Sequence, residues 1–419
     1  MINILKIEFK RMIKSKSNIT IFSIAVVITI LLAFYCAYGH TSETIISDGS
    51  YKIVTGLNAI KADTDRQSKI EGYVTQEKML DALNKYKELN NKYEDDVPID
   101  IKIKELDPYK ELLNILPYSF SDRDERMNNK QSFELQYLSN EEAFKFYDQR
   151  SKNQRNEFEK IFELSKPAQK YVENMENKVE KPFYFSPFIG WDTVLEFLGI
   201  VIICIAFIGS ILATPVFSSE YESGSDDIMR CTKYGRKHLA IAKLIVANLI
   251  VIFLYIICII MFFSIVYIML NPKGLNTSIQ FLSPLSPVSL TFGKAIFIIM
   301  IIGLIAILSI VNFTLFLSTR SKSSIFIISM STIMIVLPML SRRIVDSNML
   351  DTSNIIKFLI DILPSGGTRI YYELVNEFNL FYIGNWVIWS PYVIVTSSIL
   401  TLICFFLLSI DSYSKHESI

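Results

Sequence analysis

Cysteine is scarce in this chain, with five residues in 419, and none lies between positions 40 and 190, where most of the charge is concentrated. A disulfide framework is therefore excluded for that polar region, which must hold together by its own core. Histidine is scarcer still: His40, His238 and His416 are far apart, and with no CxxC or HExxH a metal centre has no ligand set. The GxxxxGK[ST] loop that cradles nucleotide phosphates is absent, as is GxSxG, so the sequence offers neither an ATPase nor a serine hydrolase. Excess charge is missing too. Lys plus Arg (42) balance Asp plus Glu (42), which argues against nucleic acid as a partner because that binding needs an uncompensated basic surface.

What the sequence has in quantity is apolar length. A membrane-spanning helix takes roughly 20 mostly apolar residues, and six segments qualify: about 19 to 38, 193 to 216, 239 to 270, 292 to 317, 324 to 341 and 390 to 410. The fifth is short and carries Pro338 near its end. The first is too long for a signal-peptide core and lacks a clean cleavage site, which favours an uncleaved anchor. The fold class expected is an α-helical polytopic membrane protein with six transmembrane helices, lying in a lipid bilayer.

Positive charge in short loops sets the orientation. Lys6, Lys10, Arg11, Lys14 and Lys16 precede the first span, Arg230, Lys233, Arg236 and Lys237 follow the second, and Arg320 and Lys322 follow the fourth. Both termini are therefore expected in the cytoplasm, although Arg342 and Arg343 run against the rule. The bias toward Lys, Ile and Asn suggests an AT-rich bacterial genome, hence a bacterial cell membrane.

The organisation expected is as follows. Residues 1–17 form a cytoplasmic amphipathic helix, with Ile2, Leu5, Phe9, Met12 and Ile13 at helical spacing, lying in the headgroup layer. The first span covers 18–39, and 40–190 make a large, mainly helical extracellular domain with little or no sheet, in which Asn140 precedes two glutamates as an N-cap. Most of its Tyr and Phe residues are expected in the core. The second span covers 191–217, with Trp191 at the interface; a charged loop covers 218–238, spans three to five cover 239–341, and the sixth covers 390–411 before a tail at 412–419. Between the last two spans, 342–389 hold two short amphipathic pieces split by PSGG, which either lie on the outer surface or dip inward as a re-entrant element.

Ionisable and polar residues inside spans are costly and often functional. Glu196 either lines a pathway near the outer mouth or snorkels to the interface, and Asn248 and Asn312 either contact cargo or join helices. The charged loop is more specific. Glu220, Glu222, Asp226 and Asp227 fill its first half and Arg230, Lys233, Arg236 and Lys237 its second, a distribution that matches the dipole of one short helix. The positive-inside rule explains the cations and leaves the anions and Gly224 without a reason.

Those residues resemble the ABC-2 family, the type-2 permeases of ATP-binding-cassette exporters. The family's E-x-E-x-G after the second span corresponds to Glu220, Glu222 and Gly224; its apolar pair to Ile228 and Met229; its small and basic stretch to Thr232 to Arg236; and its Lys in the next span to Lys243. The chain departs at Lys233-Tyr234, where many members have proline. The resemblance implies a permease without cofactors of its own, paired with a second permease chain, identical or similar, and with a dimer of ABC ATPase subunits that bind ATP and Mg. Closure of the ATPases would then act on Glu220, Glu222, Gly224, Ile228, Met229, Arg230, Lys233 and Arg236 and export an amphipathic substrate such as a peptide antibiotic, drug or lipid. Competing readings are a membrane receptor or assembly scaffold with a ligand-binding outer domain, and a mechanotransmission-type ABC permease, which normally has four spans.

Overall fold

The computed structural model describes residues 2–45, 51–94, 96–121, 135–162, 165–232, 235–346, 354–383 and 386–415. Among the described residues, five helices are long and apolar enough to cross a membrane: Lys16–Tyr38, Trp191–Ser223, Lys237–Met269, Phe292–Ser318 and Ser390–Lys415. The remaining apolar run, Ser324–Leu340, is shorter and forms the first part of a helix that continues to Asp346.

Between apolar helices the hydrophobic effect supplies little drive in lipid, so hydroxyls and amides carry much of the specificity. Asn248 and Asn312 exchange amide hydrogen bonds of 3.3 and 2.8 Å, joining the third and fourth long helices. Tyr255 donates to the Met300 carbonyl at 2.7 Å, Ser309 and Thr401 meet at 2.6 Å, and Thr319 donates to Ser412 at 2.9 Å. Pro215 interrupts the second long helix because it has no N–H to give and crowds the preceding turn. The Ser318 hydroxyl enters that break, accepting from the N–H groups of Phe217 and Ser218 at 3.1 and 3.0 Å and donating to the Thr214 carbonyl at 2.7 Å. The backbone groups freed by the break are thus satisfied from the fourth helix.

The 40–190 insert is mainly helical, as expected. Its principal helices are Leu57–Gln67, Gln76–Tyr93, Lys110–Phe120, Phe146–Phe162 and Lys166–Glu176. A hairpin, Thr41–Ile45 with Tyr51–Thr55, opens the insert, and a two-residue ribbon, Gly72–Tyr73 with Tyr184–Phe185, ties its two ends together. The N-cap expected at Asn140 is one residue earlier. Ser139 accepts from the Glu142 N–H at 3.2 Å while Glu142 accepts from the Ser139 N–H at 2.9 Å, a capping box that Asn140 is placed too late to make. Phe146, Phe183 and Phe185 are buried, and Phe146, Tyr147 and Phe183 pack edge to face.

One buried ion pair seats this insert on the loop between the third and fourth long helices. Arg150, 1% exposed, meets Glu176 at 2.6 Å, and its remaining donors reach the carbonyls of Pro284 at 2.6 Å and Ser286 at 2.9 Å. Gln154 adds a bond to the Leu285 carbonyl at 2.6 Å. Burial pushes the Arg150 guanidinium below its ordinary value, with Glu176 opposing it. Burial also works to raise Glu176, but Arg150 and Lys181 prevail and its carboxyl is held low. Trp191, expected at an interface, is 1% exposed and donates to the Asn271 carbonyl at 2.7 Å, so the start of the second long helix is fixed to the same loop.

The 342–389 region departs furthest from expectation. It contains the helix Asn354–Asp361 and, unanticipated, a hairpin of Leu380–Ile383 with Trp386–Trp389. The PSGG segment packs closely against the fourth long helix. A Cβ at Gly367 would stand 2.8 Å from the Ala306 Cβ and 3.2 Å from Ile302 Cγ2, and Ile302 lies about 15 Å along its helix from Phe292. Only a residue without a side chain permits that approach. Arg369 and Ser365 anchor the segment on the carbonyls of Pro338 at 2.9 Å and Met334 at 2.5 Å.

At the foot of the insert, Asp63 accepts from Ser42 at 2.7 Å, lies 2.8 Å from His40 Nε2 and pairs with Arg66. Burial opposes its ionisation, yet these partners bring the carboxyl down from 3.8 to about 2. A depressed carboxyl contributes stability that is complete above its unfolded value and is lost as pH falls through the folded one. Resistance of the 40–67 segment to protease should therefore decline between pH 4 and pH 2, and Asp63→Asn should lower resistance at pH 7 and flatten that dependence.

Candidate functional site

The charged loop begins as a continuation of the second long helix. Pro215–Ser223 carries Glu220 and Glu222, and Gly224, at φ +67°, ends it in the left-handed conformation that caps helices. A second, separate helix, Ser225–Arg230, follows with Asp226 and Asp227 in its first turn and Arg230 in its last. One dipole-matched helix was expected, and this is a correction: Gly224 divides the acids, so only Asp226 and Asp227 sit where a helix N-terminus favours them.

Glu220 has a different role. It is 3% exposed and accepts from Arg11 Nη1 at 2.8 Å, while its other oxygen is ion-paired with Lys243. Arg11 also meets Glu8 at 2.9 Å within the Ile2–Lys14 helix. Lys243, fully buried on the third long helix, donates to the Val216 carbonyl at 3.3 Å and lies 5.2 and 5.9 Å from the rings of Phe217 and Tyr413. Arg230 covers the other approach to Tyr413, 5.6 Å from its ring centre. Four separate segments therefore meet at one carboxylate: the N-terminal helix, the end of the second long helix, the start of the third and the end of the last.

The other expected site residues divide by exposure. Glu222 is exposed and accepts from Ser324 at 3.5 Å. Ile228 is 75% exposed, whereas Met229 and Arg230 are half-buried; Arg236 is exposed, and Lys233 lies outside the described residues. Glu196 is exposed on the Trp191–Ala213 helix and stands electrostatically beside Tyr371. Asn248 and Asn312 pair with one another, which leaves their amides engaged in holding helices together.

Arg11 as a partner of Glu220 was missed. Glu8, the sole acid among the lysines and arginines of residues 1–17, falls on the face of Leu5 and Met12 at i+3 and i+4 spacing and points to its own pair with Arg11, not to Glu220.

Long apolar helices stitched by hydroxyls, a polar insert seated on one inter-helix loop, and a short charged helix after the second span define a multi-pass α-helical membrane protein. The family model described as ABC-2 family transporter protein matches residues 2–356, and the chain belongs to that family. It is thus a permease component of an ABC transporter, the transmembrane part that works with an ABC ATPase subunit. Comparison with curated proteins gave no match.

Around Gly224 no heavy atom lies within 4 Å of where a Cβ would stand, so the demand for glycine comes from the backbone alone. Gly224→Val should cost about 1–2 kcal/mol, read as a lower unfolding midpoint in detergent and faster hydrogen exchange over 215–230. Gly224→Asn, which tolerates the left-handed region, should recover most of the loss.

Proposed function

We propose that this chain is the transmembrane half of an ABC exporter whose separate ATPase subunits, holding ATP and Mg, engage the Ser225–Arg230 helix. The observation that carries the reading is Ile228: a large apolar side chain, 75% exposed, presented by a short helix whose flanks are fixed at Glu220 and Arg230. An isoleucine held outward beside a helix end tied down at Glu220 suits insertion into an apolar groove of a partner. Seated in a groove of the ATPase, it would receive motion when ATP closes the ATPase pair, and Glu220 would pass that motion to the first, second and third spans. A transported substrate must favour one of the resulting states for such coupling to exist.

Six passes with both termini in the cytoplasm fit the geometry. Arg11 near one end of the chain and Tyr413 near the other both gather at Lys243 and Glu220, and chain ends on one side require an even number of crossings. The Ser324–Asp346 helix supplies the sixth, running from Ser324, bonded to Glu222, toward Met334 and Pro338, which hold the PSGG segment. The insert then stands outside a bacterial cell membrane. A second permease chain, identical or similar, completes the pathway, with Glu196 on its outer reach. The cargo proposed is amphipathic, a peptide antibiotic, drug or lipid, because among the described residues the spans place no charged file along which a small hydrophilic ion would move.

Replacing Ile228 by Asp removes an apolar anchor worth roughly 2 kcal/mol when fully buried, about thirtyfold in affinity. Ile228→Asp should insert and fold as the parent does while its association with the partner ATPase in mild detergent falls by about that factor. Unchanged association would remove this helix from the interface.

A further inference from the structure

The insert contains a cavity of about 560 Å³, within the size range of small-molecule sites, that the coupling scheme does not use. It lies at the foot of the insert, where His40 and Ser42 follow directly on the first long helix. One wall is apolar, formed by Ile103 and Leu106, 4% and 8% exposed, with Leu113 beside them. The lining also includes Arg66 and Gln67, the last two residues of the Leu57–Gln67 helix.

These two residues have unmet hydrogen-bonding capacity. Gln67 is 4% exposed; its amide nitrogen reaches Glu111 at 3.5 Å, while its Oε1 has no partner. Arg66 is tethered through its terminal nitrogens to Glu43, Ser42 and Asp63, yet its buried Nε–H has no acceptor, the Asp107 carboxylate standing 3.7 Å away. A buried donor and a buried acceptor left open on consecutive residues are costly unless something else completes them. Among the lining residues, Arg66, Lys102 and Lys110 are matched in number by Glu43, Asp63 and Asp107, with His40 set against Asp63, so the cavity presents both signs of charge. Lys102, Lys110 and Glu43 are exposed at its mouth.

A ligand that satisfies this lining has an apolar part for the Ile103 side, and a head that carries a cation and an anion together with hydrogen-bonding groups. We propose that the cavity binds an amphipathic zwitterion, either a short apolar peptide with free termini or a single-chain lipid with a zwitterionic headgroup. That the ligand is cargo rests on the permease reading; binding itself requires no ATPase, so either statement can fail while the other stands.

The test is calorimetric titration of the full chain in nanodiscs with two zwitterionic probes, trileucine with free termini and dodecylphosphocholine, each against an uncharged counterpart, N-acetyl-trileucine amide and dodecyl maltoside. One of the zwitterions should saturate at one site per chain, and which one does so identifies the source of the ligand. Lys102→Glu combined with Lys110→Glu, both at exposed positions, should weaken it about tenfold, equivalent to about 1.4 kcal/mol. Lys170→Glu, on an exposed face outside the cavity, should leave it unchanged. Failure of both zwitterions to saturate, equal binding of the uncharged counterparts, or unaltered binding by the double variant would each overturn the proposal.

Discussion

A carboxylate taken out of water must be paired or it will not stay charged, and Glu220 is paired twice, with Arg11 and with Lys243. Lys243 is the fully buried partner, and breaking a buried pair typically costs about 3–5 kcal/mol, whereas Arg11 is 41% exposed and its pairing contributes less. The desolvation that makes the pair a modest contributor to stability makes it a strict constraint on arrangement. The N-terminal helix, the end of the second long helix, the start of the third and Tyr413 of the last must all reach the same few ångströms. The Ser225–Arg230 helix joins this point through Gly224, and Arg230 stands over the Tyr413 ring.

The opposite end of the bundle follows the same logic with different groups. Arg150 and Glu176 form a second buried pair, and the guanidinium's spare donors hold carbonyls of the loop joining the third and fourth long helices. Trp191 is bonded to that loop as well. Between the two ends, the break at Pro215 is completed by Ser318, and Gly367 lets the PSGG segment rest against Ile302 and Ala306. The second and fourth long helices are thus held at several depths, and Glu220 ties the N-terminal helix to the end of the second. The insert and the charged loop are linked through packed helices and satisfied polar groups, the kind of contiguous path along which two arrangements can be coupled.

Much of this was legible beforehand. Apolar runs marked the spans because lipid tolerates nothing else over that length, and the helical insert followed from apolar stripes such as Ala168 and Val172, both of which are buried. Glu220 and Gly224 were visible as anomalies in a loop that charge rules left half explained. Their meaning was not legible: Arg11 is 209 positions from Glu220, and no local pattern announces a pair at that separation. The division at Gly224 could have been read from the preference of helix C-termini for glycine. The hairpin of Leu380–Ile383 and Trp386–Trp389 escaped because its short apolar strands differ little from the ends of an amphipathic helix and a span. The cavity beside Gln67 depends on the hairpin, the Leu57–Gln67 and Gln76–Tyr93 helices and residues 102–114, brought together only by folding.

The most direct test of the central claim is a double-mutant cycle between Glu220→Gln and Lys243→Met, read as the unfolding midpoint of the purified chain in detergent. If the two charges are a buried pair, each single change leaves a buried charge short of a partner, and the double variant should be more stable than the sum of the two losses implies, with a coupling of about 1 kcal/mol or more. Additive losses within about 0.5 kcal/mol would mean that Glu220 and Lys243 act independently, and the convergence of the four segments on one carboxylate would not be what holds this end of the protein together.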